Sequence, residues 1–114
     1  MSLLDRLRGR RPEPVPLTLY SRPGCHLCEV MKAQIAEAAL ARPYALEEID
    51  ISGDARLSKL YSLRIPVLAI AGRVAFEGQL EAGELARVFE QRAAEWDRAR
   101  ALARALGREG GRGA

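Results

Sequence analysis

Apolar residues recur along this chain with two periods, and the switches between them mark its elements. Val15, Leu17 and Leu19 alternate with other positions over residues 15–20, the period of a strand with one covered face. Pro16 lies near its start, where a missing N–H is tolerated. Leu27, Val30, Met31, Ile35 and Ala38 follow at helical spacing, predicting a helix from His26 to Ala41 that Arg42-Pro43 stops. Alternation returns over residues 44–51, with Ala45, Glu47, Ile49 and Ile51 on one face and Leu46, Glu48 and Asp50 on the other. Ser52-Gly53-Asp54 reads as a turn, and Ser52 or Asp54 can cap a short helix through Leu57, Leu60 and Tyr61. The run from Val67 to Ala71 is continuously apolar, the mark of a strand covered on both faces. Ala71-Gly72-Arg73 turns it into Val74-Ala75-Phe76, a hairpin that Gly78 ends. From Glu81 a long helix carries Leu85, Val88, Phe89, Trp96, Leu102 and Leu106, with fraying expected after Gly107.

The order is therefore strand, helix, strand, helix, hairpin, helix. A strand–helix–strand unit crosses over to a parallel neighbour, and a hairpin adds antiparallel strands. The expected fold is α/β, a four-stranded mixed sheet flanked by about three helices. The domain is placed at residues 15–106, between a basic leader over 1–14 and a flexible tail over 107–114. In the leader, Leu3, Leu4 and Leu7 could make one amphipathic turn, which Gly9 and three prolines would end, and Arg6, Arg8, Arg10 and Arg11 are a basic cluster in the sequence. That cluster reads as a solvated tail or as a contact for an acidic partner. Val88, Phe89 and Trp96 read as packing residues of the last helix. Leu102 and Leu106, beyond the minimal fold, read as a surface for a partner, such as a second copy, or as an alanine-rich end.

Composition narrows the function classes. A chain of 114 residues, 48% hydrophobic and 29% charged, is one ordinary globular domain. A net charge of +3 is mildly basic, and the two Phe, one Trp and three Tyr are scattered, so no nucleic-acid partner is expected. The N-terminus has no apolar h-region and no run of about 18 apolar residues occurs, so no membrane partner is expected either. Two cysteines leave a single dithiol with no structural spare, which suits a reducing cytosol and makes cytoplasmic the expected location.

That dithiol lies where strand period gives way to helix period, in Tyr20-Ser21-Arg22-Pro23-Gly24-Cys25-His26-Leu27-Cys28. A helix N-terminus presents unpaired N–H groups and the positive end of the helix dipole, both favourable to an anion. A thiol pKa near 8.5 can fall to about 3.5–7.5 in such a place, giving a thiolate at neutral pH. Cys25 is the candidate nucleophile. Cys28, one helical turn on, is placed to resolve a mixed disulfide. His26 between them is a candidate for tuning the thiolate or shuttling a proton, with a plain solvent-facing role as the alternative.

The element order with C-x-x-C at the first strand-to-helix junction resembles the thioredoxin superfamily. The residues around it are most similar to the glutaredoxin branch, whose Y-S-K-x-x-C-x-x-C matches Tyr20 to Cys28. A second block, Arg64-Ile65-Pro66-Val67-Leu68, matches the superfamily proline before the third strand. The resemblance implies a thioredoxin-like fold over residues 15 to about 92, with a cis Pro66 facing the dithiol. It implies substrate contacts from Arg22, Arg64, Ile65 and Pro66, with the Ile65 backbone left free to pair with an extended substrate. Arg22 stands where glutaredoxins use a lysine toward a glutathione carboxylate, and a guanidinium there would also lower the Cys25 pKa. Three departures stand out. Arg64-Ile65-Pro66 replaces T-V-P, Gly78-Gln79-Leu80-Glu81 keeps only the first glycine of G-G-x-D, and Leu19 replaces the buried thioredoxin Asp.

The function expected from the sequence is thiol–disulfide exchange on protein disulfides or low-molecular-weight thiol adducts. No bound cofactor is expected, and glutathione, another small thiol or a reductase would serve as electron donor. The alternatives are a metal or iron–sulfur module using the same two thiolates, chiefly as a cluster bridged between two copies, and a binding module that has lost turnover. A closed zinc site wants four ligands, and only His26 stands beside the two cysteines, so no metal ligand set is assigned.

Overall fold

The computed structural model describes residues 13–81 and 83–113; the basic leader before Glu13, with its arginine cluster, lies outside the described residues. Four strands, β1 (Val15–Ser21), β2 (Tyr44–Asp50), β3 (Val67–Ile70) and β4 (Arg73–Glu77), form one mixed sheet in the order β2-β1-β3-β4. Three α-helices join them: α1 (His26–Glu37), α2 (Ala55–Tyr61) and α3 (Glu84–Gly113). β1 pairs in parallel with β2, from Val15 opposite Tyr44 to Ser21 opposite Asp50. It pairs antiparallel with β3, from Leu17 opposite Ile70 to Tyr20 opposite Val67. This is the thioredoxin-like arrangement that the element order implied.

Alternation in β1 sorts the two layers. Val15, Leu17 and Leu19 turn to one face and are buried with Leu68 and Ile70 of β3, Met31 and Ile35 of α1, and Leu85, Phe89 and Ala93 of α3. Tyr20 turns to the other face, where its ring meets Tyr61 of α2 with centroids 4.7 Å apart. β3, central and covered on both faces, is buried throughout, as its unbroken apolar run predicts. The β3–β4 turn uses Ala71 and Gly72 at φ +52° and +84°, both positive as the tight I′ hairpin turn requires. α2 is capped by Asp54, whose carboxylate accepts from the Arg56 and Leu57 amides, so of the two candidate caps Asp54 serves. Asp50 does the same for the short 3₁₀ turn Ile51–Gly53.

Several boundaries differ from the sequence expectation. α1 stops at Glu37 rather than Ala41, because Ala38 leaves helical geometry at ψ 135° while its amide still donates to Ile35 O. Ala38 and Leu40 then fold onto the core, a packing gain that outweighs extending an exposed helix end. β2 stops at Asp50 because Ile51 enters the 3₁₀ turn and is buried there. α3 carries helical backbone to Gly113, past the expected fraying point at Gly107. Arginine pairs tie it to β4 and to the segments just before β1 and β2. Arg42 grips Asp97 with two bonds of 2.5 and 3.1 Å, Arg73 meets Glu95, and Arg100 pairs with Glu13 while stacking over Trp96. Leu102 and Leu106, farther along, are exposed.

Candidate active site

β1 delivers its last residue, Ser21, buried at the C-terminal end of the sheet. Arg22-Pro23-Gly24-Cys25 then turns the chain, with the Cys25 amide donating to Arg22 O at 3.3 Å. Pro23 supplies the fixed φ of the second turn position and Gly24, at φ +80°, the positive φ of the third, the residue order of a type II turn. The turn ends with Cys25 as the N-cap of α1 at φ −86°. Its Sγ accepts from the Cys28 amide at 3.2 Å, a donor that would otherwise be orphaned in the first helical turn. Sulfur thus does the capping usually done by a hydroxyl or carboxylate oxygen.

Cys25 and Cys28 form a disulfide across that first turn, with Cα atoms 5.2 Å apart. Their exposure is unequal. Cys25 is half-buried, whereas Cys28 is 1% exposed. One sulfur is reachable and the other is shielded behind it. His26 opens α1 and faces solvent.

Pro66 follows a cis Ile65–Pro66 bond. The β1–β3 register, with Tyr20 opposite Val67, brings Pro66 to the end of the sheet that carries Ser21 and the turn to Cys25. The backbone on either side is largely occupied. Pro66 O accepts from Gly78 N at 2.7 Å, and Ile65 N–H donates to Tyr61 O at 3.0 Å. The expectation that the Ile65 backbone is free therefore fails for its N–H. The last turn of α2 reaches far enough to take that donor, leaving only the carbonyl of Ile65 without a partner among the described residues. Arg64 lies exposed on the same loop, 3.9 Å from Glu77. Arg22 is exposed on the turn before Cys25.

Leu27 and Val30, expected on the buried stripe of α1, are 45% and 39% exposed. Core contact goes to Cys28, Met31 and Ile35 instead. Leu27, Val30 and Met31, with Gln34 and the Gly78–Leu80 segment, border a cavity of about 260 Å³ beside the dithiol helix. Gln34 Nε2 donates to Leu80 O there, tying α1 to the segment that departs from G-G-x-D.

One cluster escaped the sequence reading. Ser21 Oγ donates to Glu48 Oε2 at 2.9 Å, and Lys32 Nζ of α1 lies 2.9 Å from the other carboxylate oxygen. The bond from Lys32, then that from Ser21, holds the Glu48 carboxyl below the usual glutamate range, and the bond to Glu48, then the nearby Glu29 charge, raises Lys32. A signal was present: Ser21 continues the Val15, Leu17, Leu19 face with a hydroxyl, and a buried polar group needs a partner. Glu48 also borders a second cavity of about 260 Å³, shared with Ser21, Arg22, Pro23, Glu29 and Asp50.

Comparison with known proteins agrees with this geometry. Residues 16–90 match the family described as Glutaredoxin-like domain (DUF836). Among solved structures, the X-ray structure of target protein XcR50 from X. campestris is 34% identical, at a TM-score of 0.57. The match covers 66% of this chain and 96% of that one. The solution structure of protein Ne2328 from Nitrosomonas europaea is 30% identical, at a TM-score of 0.56 over 69% of this chain and 95% of that one. A mutant thioredoxin from Halobacterium salinarum NRC-1, at 22% identity, shares the fold, with a TM-score of 0.51 over 79% of this chain and 82% of that one. No curated protein matches the chain.

Proposed function

We propose, from the premise that this chain belongs to the glutaredoxin-like domain family, that it is a thiol–disulfide oxidoreductase. It would act on protein disulfides or low-molecular-weight thiol adducts. The observation that carries the reading is the inequality of the two sulfurs: Cys25 accessible at the start of α1, Cys28 buried one turn behind it.

That arrangement suits a two-step exchange. In the reduced protein, the Cys25 thiolate attacks one sulfur of a substrate disulfide. A Cys25–substrate bond forms, the substrate S–S bond breaks, and the departing thiolate takes a proton. Cys28 then gives up its proton and attacks Cys25 Sγ, releasing the second substrate thiol and closing the Cys25–Cys28 disulfide. Two electrons have passed from protein to substrate. Two equivalents of a small thiol such as glutathione, or a dithiol reductase, return the pair to its reduced form. The helix N-terminus favours the thiolate, and the Cys28 amide that donates to Cys25 Sγ is already aimed at the developing charge.

Arg22 on the turn before Cys25 and Arg64 on the loop before Pro66, both exposed, would offer cations to a substrate carboxylate, and Ile65 O supports the reading of an extended substrate beside Pro66. His26 completes the set as the exposed titratable group next to the nucleophile. Disulfide reduction by the purified protein, with insulin or hydroxyethyl disulfide as substrate, tests the proposal. Cys25→Ser should abolish turnover, and Cys28→Ser should keep at most monothiol activity. Full activity in Cys25→Ser would overturn it.

A further inference from the structure

We infer that Glu48 and Lys32 act as opposed electrostatic weights on the Cys25–Cys28 pair, positioning residues that set how strongly it holds electrons. The inference rests on the exchange chemistry proposed above and adds to it the groups that tune the potential.

Geometry carries the argument. Ser21 is the one buried polar side chain among the described residues, and it donates to Glu48. Ser21 also ends β1 immediately before the turn that delivers Cys25. The other Glu48 oxygen is held by Lys32, four residues after Cys28 on α1 and so on the same helical face. One carboxylate thereby ties the strand end before Cys25 to the helical turn after Cys28. The two charges are paired with each other at a partly exposed position between that strand end and α1. The other charged groups here are Arg22 on the turn, Glu29 on α1 and Asp50 on β2. Asp50 is occupied by Ser52.

Electrostatics gives the sign. A disulfide is neutral, whereas the reduced pair carries negative charge once Cys25 ionises. A neighbouring charge therefore acts on the reduced form alone. Lys32 stabilises that thiolate and Glu48 opposes it, and while paired they nearly cancel. Removing the Glu48 charge leaves Lys32 uncompensated, so the thiol acidifies and the disulfide becomes a stronger oxidant. Removing the Lys32 charge leaves Glu48 and Glu29 uncompensated and moves both properties the other way. Loss of packing alone would not give opposite signs.

Full-length wild type, Glu48→Gln and Lys32→Met, each equilibrated in glutathione redox buffers, test this. A second readout is the pH profile of Cys25 alkylation by iodoacetamide in the Cys28→Ser background. Glu48→Gln should favour the dithiol by about threefold to tenfold, equivalent to about 15–30 mV for a two-electron couple, and should move alkylation to lower pH. Lys32→Met should shift both readouts in reverse, and added salt should shrink the differences. Shifts of the same sign, or no shift alongside a lower melting temperature, would overturn the inference and leave a purely structural pair. Alkylation needs no turnover, so the two proposals fail separately. Opposed shifts in a protein that reduces no disulfide would sink the oxidoreductase reading alone. Normal turnover without opposed shifts would sink only this inference.

Discussion

The Cys28 amide donates to Cys25 Sγ across 3.2 Å, so the accessible sulfur of the pair is also the cap of the helix that carries the other sulfur. Chemistry and helix start are therefore coupled at one atom. In the reduced protein, Cys25→Ser should keep the cap, since a serine hydroxyl serves that position well, whereas Cys25→Ala should cost about 1 kcal/mol. Urea denaturation under reducing conditions separates the two. Equal stability of Ser and Ala variants would show that the sulfur does not cap.

The β3–β4 hairpin offers a second test, remote from the dithiol. Ala71 holds φ +52° ahead of Gly72 at +84°, and a left-handed backbone costs an alanine roughly 1–2 kcal/mol. Asparagine tolerates that region, and Asn-Gly is the favoured pair for this turn. Ala71→Asn should stabilise the protein by about 0.5–1 kcal/mol. The β-branched variant Ala71→Val should destabilise it. Melting temperatures that fall for Asn would refute the assignment of strain.

Legibility in the sequence followed the range of the interactions. Alternation in Val15-Leu17-Leu19 and the unbroken run at Val67–Ile70 are local, so strand identity and order could be read directly. Cys25 and Cys28 were legible because their relation is a single helical turn. Leu27 and Val30 satisfied the same helical spacing as Met31 and Ile35, yet spacing does not say which part of a wide apolar stripe meets the sheet. The exit of α1 at Glu37 depends on Ala38 and Leu40 finding the core, a tertiary contact. Ser21 and Glu48 meet across 27 residues only because the parallel register sets Leu19 opposite Glu48 and Ser21 opposite Asp50. Likewise, no local pattern announces that α2 ends close enough for Tyr61 O to take the Ile65 amide.

Within α3, burial separates two kinds of apolar residue. Phe89 is fully buried and meets Tyr44 edge-on with ring centroids 6.4 Å apart. Truncating it removes core contacts from both α1 and the sheet, so Phe89→Ala should cost about 3–5 kcal/mol, enough to unfold a domain of marginal stability. Leu102, 60% exposed, should tolerate alanine within about 0.5 kcal/mol. Thermal melts of the two variants check the contrast. A comparable loss in Leu102→Ala would mean that the far end of α3 is covered in solution.

Acid should weaken the fold through carboxylates held low on folding: Asp50, by its hydrogen bonds from Ser52, and two that are ion-paired. Arg42 holds the Asp97 carboxyl below its ordinary value of 3.8, and Lys32 followed by Ser21 holds Glu48 below 4.5. A carboxyl whose pKa is depressed on folding binds protons more readily when unfolded. Its contribution is complete above the unfolded value and is lost as pH falls through the folded one. Stability should therefore be flat from neutral pH to about pH 5 and decline below about pH 4.5, where the unfolded chain begins to take up protons first. Asp97→Asn and Glu48→Gln should lower stability at pH 7 yet flatten the acid limb, most in the double variant. Both pairs are partly solvated, so each effect at pH 7 should be modest, about 1 kcal/mol or less for Asp97. Urea midpoints measured from pH 7 to pH 3 give the slopes directly. An acid limb as steep in the double variant as in wild type would place the titrating groups elsewhere.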